Sequence, residues 1–386
     1  MKHLRSILAG AALLAAQPCH AWHSAGHSAT GSIAYAEIKD DPELVKRVVA
    51  TLKGNPDFVQ RSQGALASSG VEADEYYFMR AATWPDEVRR THFDVPSAHY
   101  VNKKFTPPGT GTGQLTPAAN DVLKALAAHR QTLLTSQDPE QRGIALAWLF
   151  HLVGDVHQPL HSIALVNGSY PKGDRGGNAF AVVPITDFED QDNLHSFWDG
   201  FWDGLWGKTH FNQQQGFWDR STFAPSKRFP AVHDLAGTLT TRLPRSSFMQ
   251  LPGSFDPPAW AKESYDAAIK FAYTDQGVLL PFGHSGAPDD PGTPTVLSPT
   301  YRDVALRNAE PRLVLAGYRL ADTLKELKPV LVQSSGAPVH LVAASAATAR
   351  RTVRRPARVH SHRVSTRHIT RHRTRRSSHR TAPAQR

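Results

Sequence analysis

Apolar positions along the chain recur mostly at three- and four-residue spacing, the period of a helix face, and rarely alternate as in a strand. The pattern predicts helices at about Ser28 to Ile38, Pro42 to Leu52, Pro117 to Leu134, Pro139 to Val156, Ala231 to Leu243, Trp260 to Tyr273 and Thr300 to Leu327. Asp192 to Asp203, DNLHSFWDGFWD, also reads as helical, and Ala81 to Arg90 as a helix end or tight turn around Pro85. Ser97 to Lys103 reads as short and extended, and Phe105 to Gln114, Lys172 to Asn178 and Pro281 to Pro299 as loops. Strand signals are few and short, and no repeat at solenoid spacing is visible. Residues 22 to about 330 are therefore expected to form a mainly α, single multi-helix domain.

One apolar run is interrupted in an informative way. Ala147 to His161, AWLFHLVGDVHQPLH, carries His151, Asp155, His157 and His161 among large apolar residues. On a helix, His151 and Asp155 share a face one turn apart. Burying a bare carboxylate there is costly, and either polar partners or a metal ion must offset it. Pro159 is expected to bend or end the helix and swing His161 toward the same centre.

Composition changes the picture at both ends. The chain has 386 residues, ample for a core in one large domain or two. Lys2 and Arg5, the apolar run Ile7 to Ala16 and Cys19-His20-Ala21 read as a signal peptide, residues 1–21, cleaved to leave Trp22 first. The apolar run is too short to span a membrane, and a lipoprotein reading through Cys19 is disfavoured by Gln17-Pro18 before it. The expected destination is secreted or periplasmic. Cys19 is the only cysteine, so the processed chain has no internal disulfide to hold it together.

The net charge is +10, but thirteen arginines and no acidic residue lie between Arg350 and Arg386. Without those and the two leader charges, the remainder carries about −5. Residues 331–386 read as a disordered Arg/His-rich tail; past Leu331 there is no Phe, Trp or Tyr to build a core. Its arginines suit phosphates or anionic lipid by charge, while the lack of aromatics removes any platform for stacking bases. A solubilising or envelope-adhering extension is favoured over a dedicated nucleic-acid arm.

Outside the tail, His27, Asp86, His99, His151, Asp155, His161, His195 and Asp199 stand at polar–apolar boundaries, and the HxxxD spacing occurs twice, at His151/Asp155 and His195/Asp199. Each such pair can offer a nitrogen and an oxygen to one metal. Nitrogen and carboxylate ligands without thiolate suit zinc, and eight donors exceed one tetrahedral site. Singly, each residue is more often structural; the joint pattern points to a cluster.

WHSAGH (Trp22–His27), TWPDEVR (Thr83–Arg89), HYVN (His99–Asn102), HLVGDVHQPLH (His151–His161), DRGGN (Asp174–Asn178), DNLHSFWD (Asp192–Asp199), WAKES (Trp260–Ser264) and AGYRLADTL (Ala316–Leu324), in this order, resemble the trinuclear-zinc single-strand-specific nucleases of fungi and plants. A more distant likeness is to zinc phospholipase C. The nuclease resemblance implies three Zn2+ per chain. One takes Asp86, His99, His151 and Asp155, a second His161, His195 and Asp199, and a third the amine and carbonyl of Trp22 with His27 and a bridging Asp155. It implies catalytic roles for Asp86, Asp155 and Arg89, a base stacked on Tyr100, and substrate contacts at Asn102 and Asn178. Asn102 stands where some members have aspartate, which leaves base preference open, and Asn178 can equally cap its own loop. His157, between two ligands, is expected to be a supporting or surface histidine. His23 has no assigned role.

The implied activity is hydrolysis of single-stranded DNA and RNA to 5′-mononucleotides, together with 3′-nucleotidase activity. Closely spaced zinc ions lower the pKa of water toward roughly 7, so no Ser or Cys nucleophile is needed. Two other readings stay open: a phospholipase C using the same metals, and a non-catalytic basic envelope-binding protein driven by the tail.

Overall fold

The computed structural model describes residues 22–183, 192–205, 211–212, 217–218, 223–249, 251, 255–282 and 293–331. The expected leader, the tail from residue 332 and the middle of the Pro281 to Pro299 loop lie outside the described residues. The fold is mainly helical. Its principal helices are α1 (Ser24–Ile38), α2 (Pro42–Leu52), α3 (Pro56–Leu66), α4 (Ala73–Glu87), α5 (Val122–Thr135), α6 (Pro139–His157), α7 (Leu194–Asp199), α8 (Pro225–Arg242), α9 (Pro257–Ala267) and α10 (Tyr301–Leu331). Strand pairing among the described residues amounts to two-residue pieces, Lys104–Phe105 beside Ala164–Leu165, Phe211–Asn212 beside Phe217–Trp218, and Thr274–Asp275 beside Val278–Leu279, with single bridges at Ala181–Asn193 and Val182–Thr295. None of the described helices is long and apolar enough to cross a membrane.

Local chemistry explains where the helices begin. Asp121 accepts from the amides of Leu123 and Lys124, so α5 starts at Val122 and not at Pro117 as the pattern predicted. Asp138 caps α6 in the same way, with Pro139 at its first position. Asn193 accepts from Ser196 N and fixes the start of α7; the expected helix from Asp192 to Asp203 contracts to six residues. The segment expected to be extended from Ser97 instead begins with a 3-10 turn, Pro96–His99, and only then straightens. Pro85 does not stop α4, which runs two residues past it.

The pattern did not predict α3 or the body of α4. In α4 the residues from Glu75 to Met79 are all buried, so no one-sided stripe exists to read. In α3 only Phe58 and Ser62 are buried, too thin a stripe to stand out.

Packing places α6 and α1 inside the bundle. Every residue of α6 from Ala145 to His157 is buried. Its Leu, Phe and Val side chains, Leu149, Phe150 and Leu152 among them, each contribute roughly 1.5–3 kcal/mol of burial, which offsets the cost of holding His151 and Asp155 inside. The first half of α1, SAGHSATGS, is built from small residues, so α4 and α10 approach it closely along its length. His27 is the one large polar side chain on that half, and it points at α6.

Candidate metal centre

All eight His and Asp side chains singled out above converge, brought by six separate elements. From α6 come His151 and Asp155, with His151 Nε2 3.3 Å from Asp155 Oδ2. From α1 comes His27, its ring stacked on His151 at 3.9 Å between centroids and its Nε2 3.3 Å from Asp155 Oδ1. The last turn of α4 places Asp86 Oδ1 3.6 Å from His151 Nε2. The Pro96–His99 turn sets His99 Nδ1 2.9 Å from Asp155 Oδ2 and 3.0 Å from His151 Nε2. Beyond α6, the turn Pro159–Ser162 presents His161, whose Nε2 faces His195 Nε2 of α7 at 3.1 Å, and His195 Nε2 lies 3.2 Å from Asp199 Oδ2. The donors fall into three groups: His27, His151 and Asp155; Asp86, His99 and His151; and His161, His195 and Asp199. In each, the donor atoms lie within 4.8 Å of one another.

Hydrogen bonds on the far side of three of the rings, and their absence at His27, decide what these groups can hold. Nδ1 of His151 donates to the carbonyl of Ala82, Nδ1 of His161 to that of His99, and Nδ1 of His195 to that of Gly176. A neutral imidazole that donates from Nδ1 has its lone pair on Nε2. In the third group two such lone pairs and a carboxylate oxygen therefore point at one another across about 3 Å. That arrangement is repulsive unless a cation or a proton sits between. In the first group both ring nitrogens of His27 and Asp155 Oδ1 are buried without a hydrogen bond. The donor set and these orphaned atoms fit a divalent metal at each group.

The electrostatics agree. Burial, and then the neighbouring His151, push His27 down to about 4, so its ring stays neutral and able to ligate. Burial and Arg89 likewise lower His99. Burial alone would raise Asp155, but His151 and His99 outweigh it and hold the carboxylate well below its usual range. His151 is drawn upward by Asp155 and Asp86 against its burial, so a proton competes there with any metal. Burial raises Asp199 despite His195 and His23, a carboxylate that a cation would relieve.

Supporting residues surround the cluster, several of them invisible in the sequence pattern. Arg89 donates from Nε and Nη2 to Asp86 Oδ1, at 3.1 and 2.9 Å. Gln158 donates to Asp199 Oδ1 at 2.6 Å and accepts from the Leu160 amide, tying the exit of α6 to the third group. Buried Asp174 accepts from the amides of Leu165 and Gly177 and from the Tyr273 hydroxyl, and so fixes the loop whose Gly176 carbonyl orients His195. Gly176 has φ +62°, and a Cβ there would meet the Leu160 carbonyl at 2.4 Å. His23 pairs with buried Asp203 at 2.9 Å, and the Trp22 indole packs edge-on against Trp202, 5.2 Å away. Tyr100 and Asn102 are half-buried on the stretch after His99. The Asn178 amide donates to Arg175 O within its own loop. His157, buried, points away from the cluster and toward α10.

A helical bundle that brings imidazoles and carboxylates into three adjacent groups offers the donor chemistry that metal-dependent hydrolases use. Comparison with known proteins narrows it. The family model described as S1/P1 nuclease matches residues 22–328, and the chain belongs to that family; it is a nuclease. Among its relatives, Endonuclease 4 of Arabidopsis thaliana is 29% identical over 323 residues, covering 79% of this chain and 89% of that protein. Nuclease P1 of Penicillium citrinum is 25% identical over 283 residues, 71% of this chain and 91% of the relative. Nuclease S1 of Aspergillus oryzae is 26% identical over 198 residues, 50% and 58% of the two chains.

Proposed function

We propose that the chain is an exported, zinc-dependent phosphodiesterase that cleaves single-stranded DNA and RNA to 5′-mononucleotides and also removes the phosphate of 3′-nucleotides. The observation that carries this reading is the convergence of fixed lone pairs and carboxylates in three groups, with no Ser or Cys nucleophile among them. Asp86, His99, His151 and Asp155 would hold one zinc. His161, His195 and Asp199 would hold a second, and His27 and Asp155 a third with the amine and carbonyl of Trp22. Bound zinc supplies positive charge for the phosphate and acidifies water at neutral pH.

The chain's own groups do the rest. Asp155 faces His27 on one side and His99 and His151 on the other, and so links two donor groups. Arg89, held by Asp86, offers its guanidinium to charge developing on the phosphate. Tyr100 gives an unpaired base a face to stack on, which a duplex interior does not expose. Residues 22–330 form the enzymatic domain in this reading, and the basic tail is an appended solubilising or surface-adhering segment.

Metal analysis of the purified protein, combined with assays on single-stranded DNA, duplex DNA and phosphatidylcholine vesicles, tests the proposal. Three zincs with preferential cleavage of the single strand are expected. Lipid turnover without nucleic-acid cleavage would replace it with the phospholipase reading.

A further inference from the structure

The segments WAKES and AGYRLADTL lie on α9 and α10, away from the donor groups, yet both end on the last turn of α6. Glu263 Oε2 accepts from Arg312 Nη1 and Arg319 Nη1, and its Oε1 from Arg319 Nη2, all at 2.7 Å. Arg319 Nη1 also donates to His157 Nε2 at 2.8 Å, while His157 Nδ1 donates back to the Val153 carbonyl. Arg312 Nε donates to the His157 carbonyl at 3.2 Å. Ser264 Oγ donates to the Val156 carbonyl at 2.6 Å and accepts from Arg312 Nη2 at 2.7 Å. Two buried guanidiniums and one carboxylate thus leave net positive charge against the carbonyl end of α6. They satisfy backbone acceptors that a helix terminus leaves open.

This is the point where α6 hands over from Asp155 to His161. His157, which the arginines contact, follows Asp155 by two positions and precedes His161 by four. His157 is gripped from the α10 side, and the next residue, Gln158, reaches Asp199 on the other.

We infer that Arg319, with Arg312 and Glu263, is a positioning cluster that sets the exit of α6 and thereby the register between the Asp155 groups and the His161 group. Asp155 sits upstream in a helix packed on all sides, whereas His161 sits downstream on a short turn. Loosening the clamp therefore weakens the His161–His195–Asp199 site first. The inference rests on the metal reading proposed above.

The test uses Glu263→Gln and Arg319→Lys in the processed full-length protein. Lysine keeps the charge but cannot bond His157 and both Glu263 oxygens together. Zinc affinity of each site is measured by chelator competition, alongside the denaturation midpoint of chelator-treated protein. One zinc should bind roughly ten- to a hundred-fold more weakly, with the other two at wild-type affinity. Variants that are less stable but hold all zincs at wild-type affinity overturn the inference and leave a purely structural clamp. The milder Ser264→Ala removes the Val156 bond and leaves the ion pairs, so it keeps the test readable if the charged variants do not fold. It should shift the same site in the same direction, and unchanged affinity there counts against the clamp. Wild-type protein that binds no zinc overturns the metal reading itself.

Discussion

Gly154 offers a test of the site from a residue that bears no donor atom. A Cβ built at Gly154 lies 2.8 Å from His27 Nδ1 and 3.0 Å from Cε1, where ordinary contact begins at 3.4 Å. The ring would have to retreat by about 0.6 Å, the difference between the contact limit and the Nδ1 distance. It has little room, because its face is stacked on His151 at 3.9 Å. Forcing a methyl group into such packing costs roughly 1–3 kcal/mol, while replacing glycine by alanine inside a helix returns about 1 kcal/mol. Gly154→Ala should therefore destabilise by up to about 2 kcal/mol, and the displaced His27 should lose its metal. Gly64 in α3 is the matched control: nothing lies within 4 Å of its Cβ position, so Gly64→Ala should be neutral or stabilising by up to about 1 kcal/mol with metal content intact. Denaturant midpoints and zinc content of both variants decide the matter. Gly154→Ala protein with full zinc, full activity and raised stability would refute the confinement of His27 argued here.

Other consequences are equally direct. His151→Ala and Asp155→Ala should both abolish cleavage of single-stranded DNA at saturating zinc, Asp155→Ala the more completely because it faces two groups; substantial residual turnover in Asp155→Ala would contradict its bridging position. Burial raises Asp174 from 3.8 to about 6 against the bonds it accepts. Folding stability should therefore fall by about 3 kcal/mol as pH rises from about 4 to 6, because the unfolded chain ionises there first. Compared with wild type under metal-free conditions, Asp174→Asn should lack that part of the slope, and parallel pH profiles would contradict the assignment. If the Trp22 amine binds zinc, a form extended by one residue before Trp22 should carry one zinc fewer, and three zincs with full activity would remove Trp22 from the ligand set. Removing residues 340–386 should leave hydrolysis of mononucleotides unchanged; loss of that activity would show that the tail belongs to the catalytic unit.

Much of the site was legible in the sequence because its chemistry is local. His151/Asp155 and His195/Asp199 each sit one turn apart on a helix, and a carboxylate amid Leu152, Val153 and Val156 demands compensation wherever the helix packs. Pro159 likewise announced the turn that carries His161. The helices α2 and α6 were readable from their stripe or length and their Pro starts, whereas α4, buried all round, offered no stripe.

Tertiary structure decided what spacing cannot encode. Asp86, His99 and His27 reach α6 from positions 52 to 124 residues away, and only the close approach of a small-residue α1 brings His27 onto His151. The ring orientations depend on carbonyls of Ala82, His99 and Gly176, backbone groups that no side-chain pattern reveals. The same holds for Gln158, Asp174 and the Arg312–Arg319–Glu263 clamp, whose work is to satisfy polar atoms on the far side of the donors. Residue identity set which atoms can bind a metal, since donor chemistry travels with the side chain. The fold set which lone pairs face one another, since that depends on partners distant in the chain.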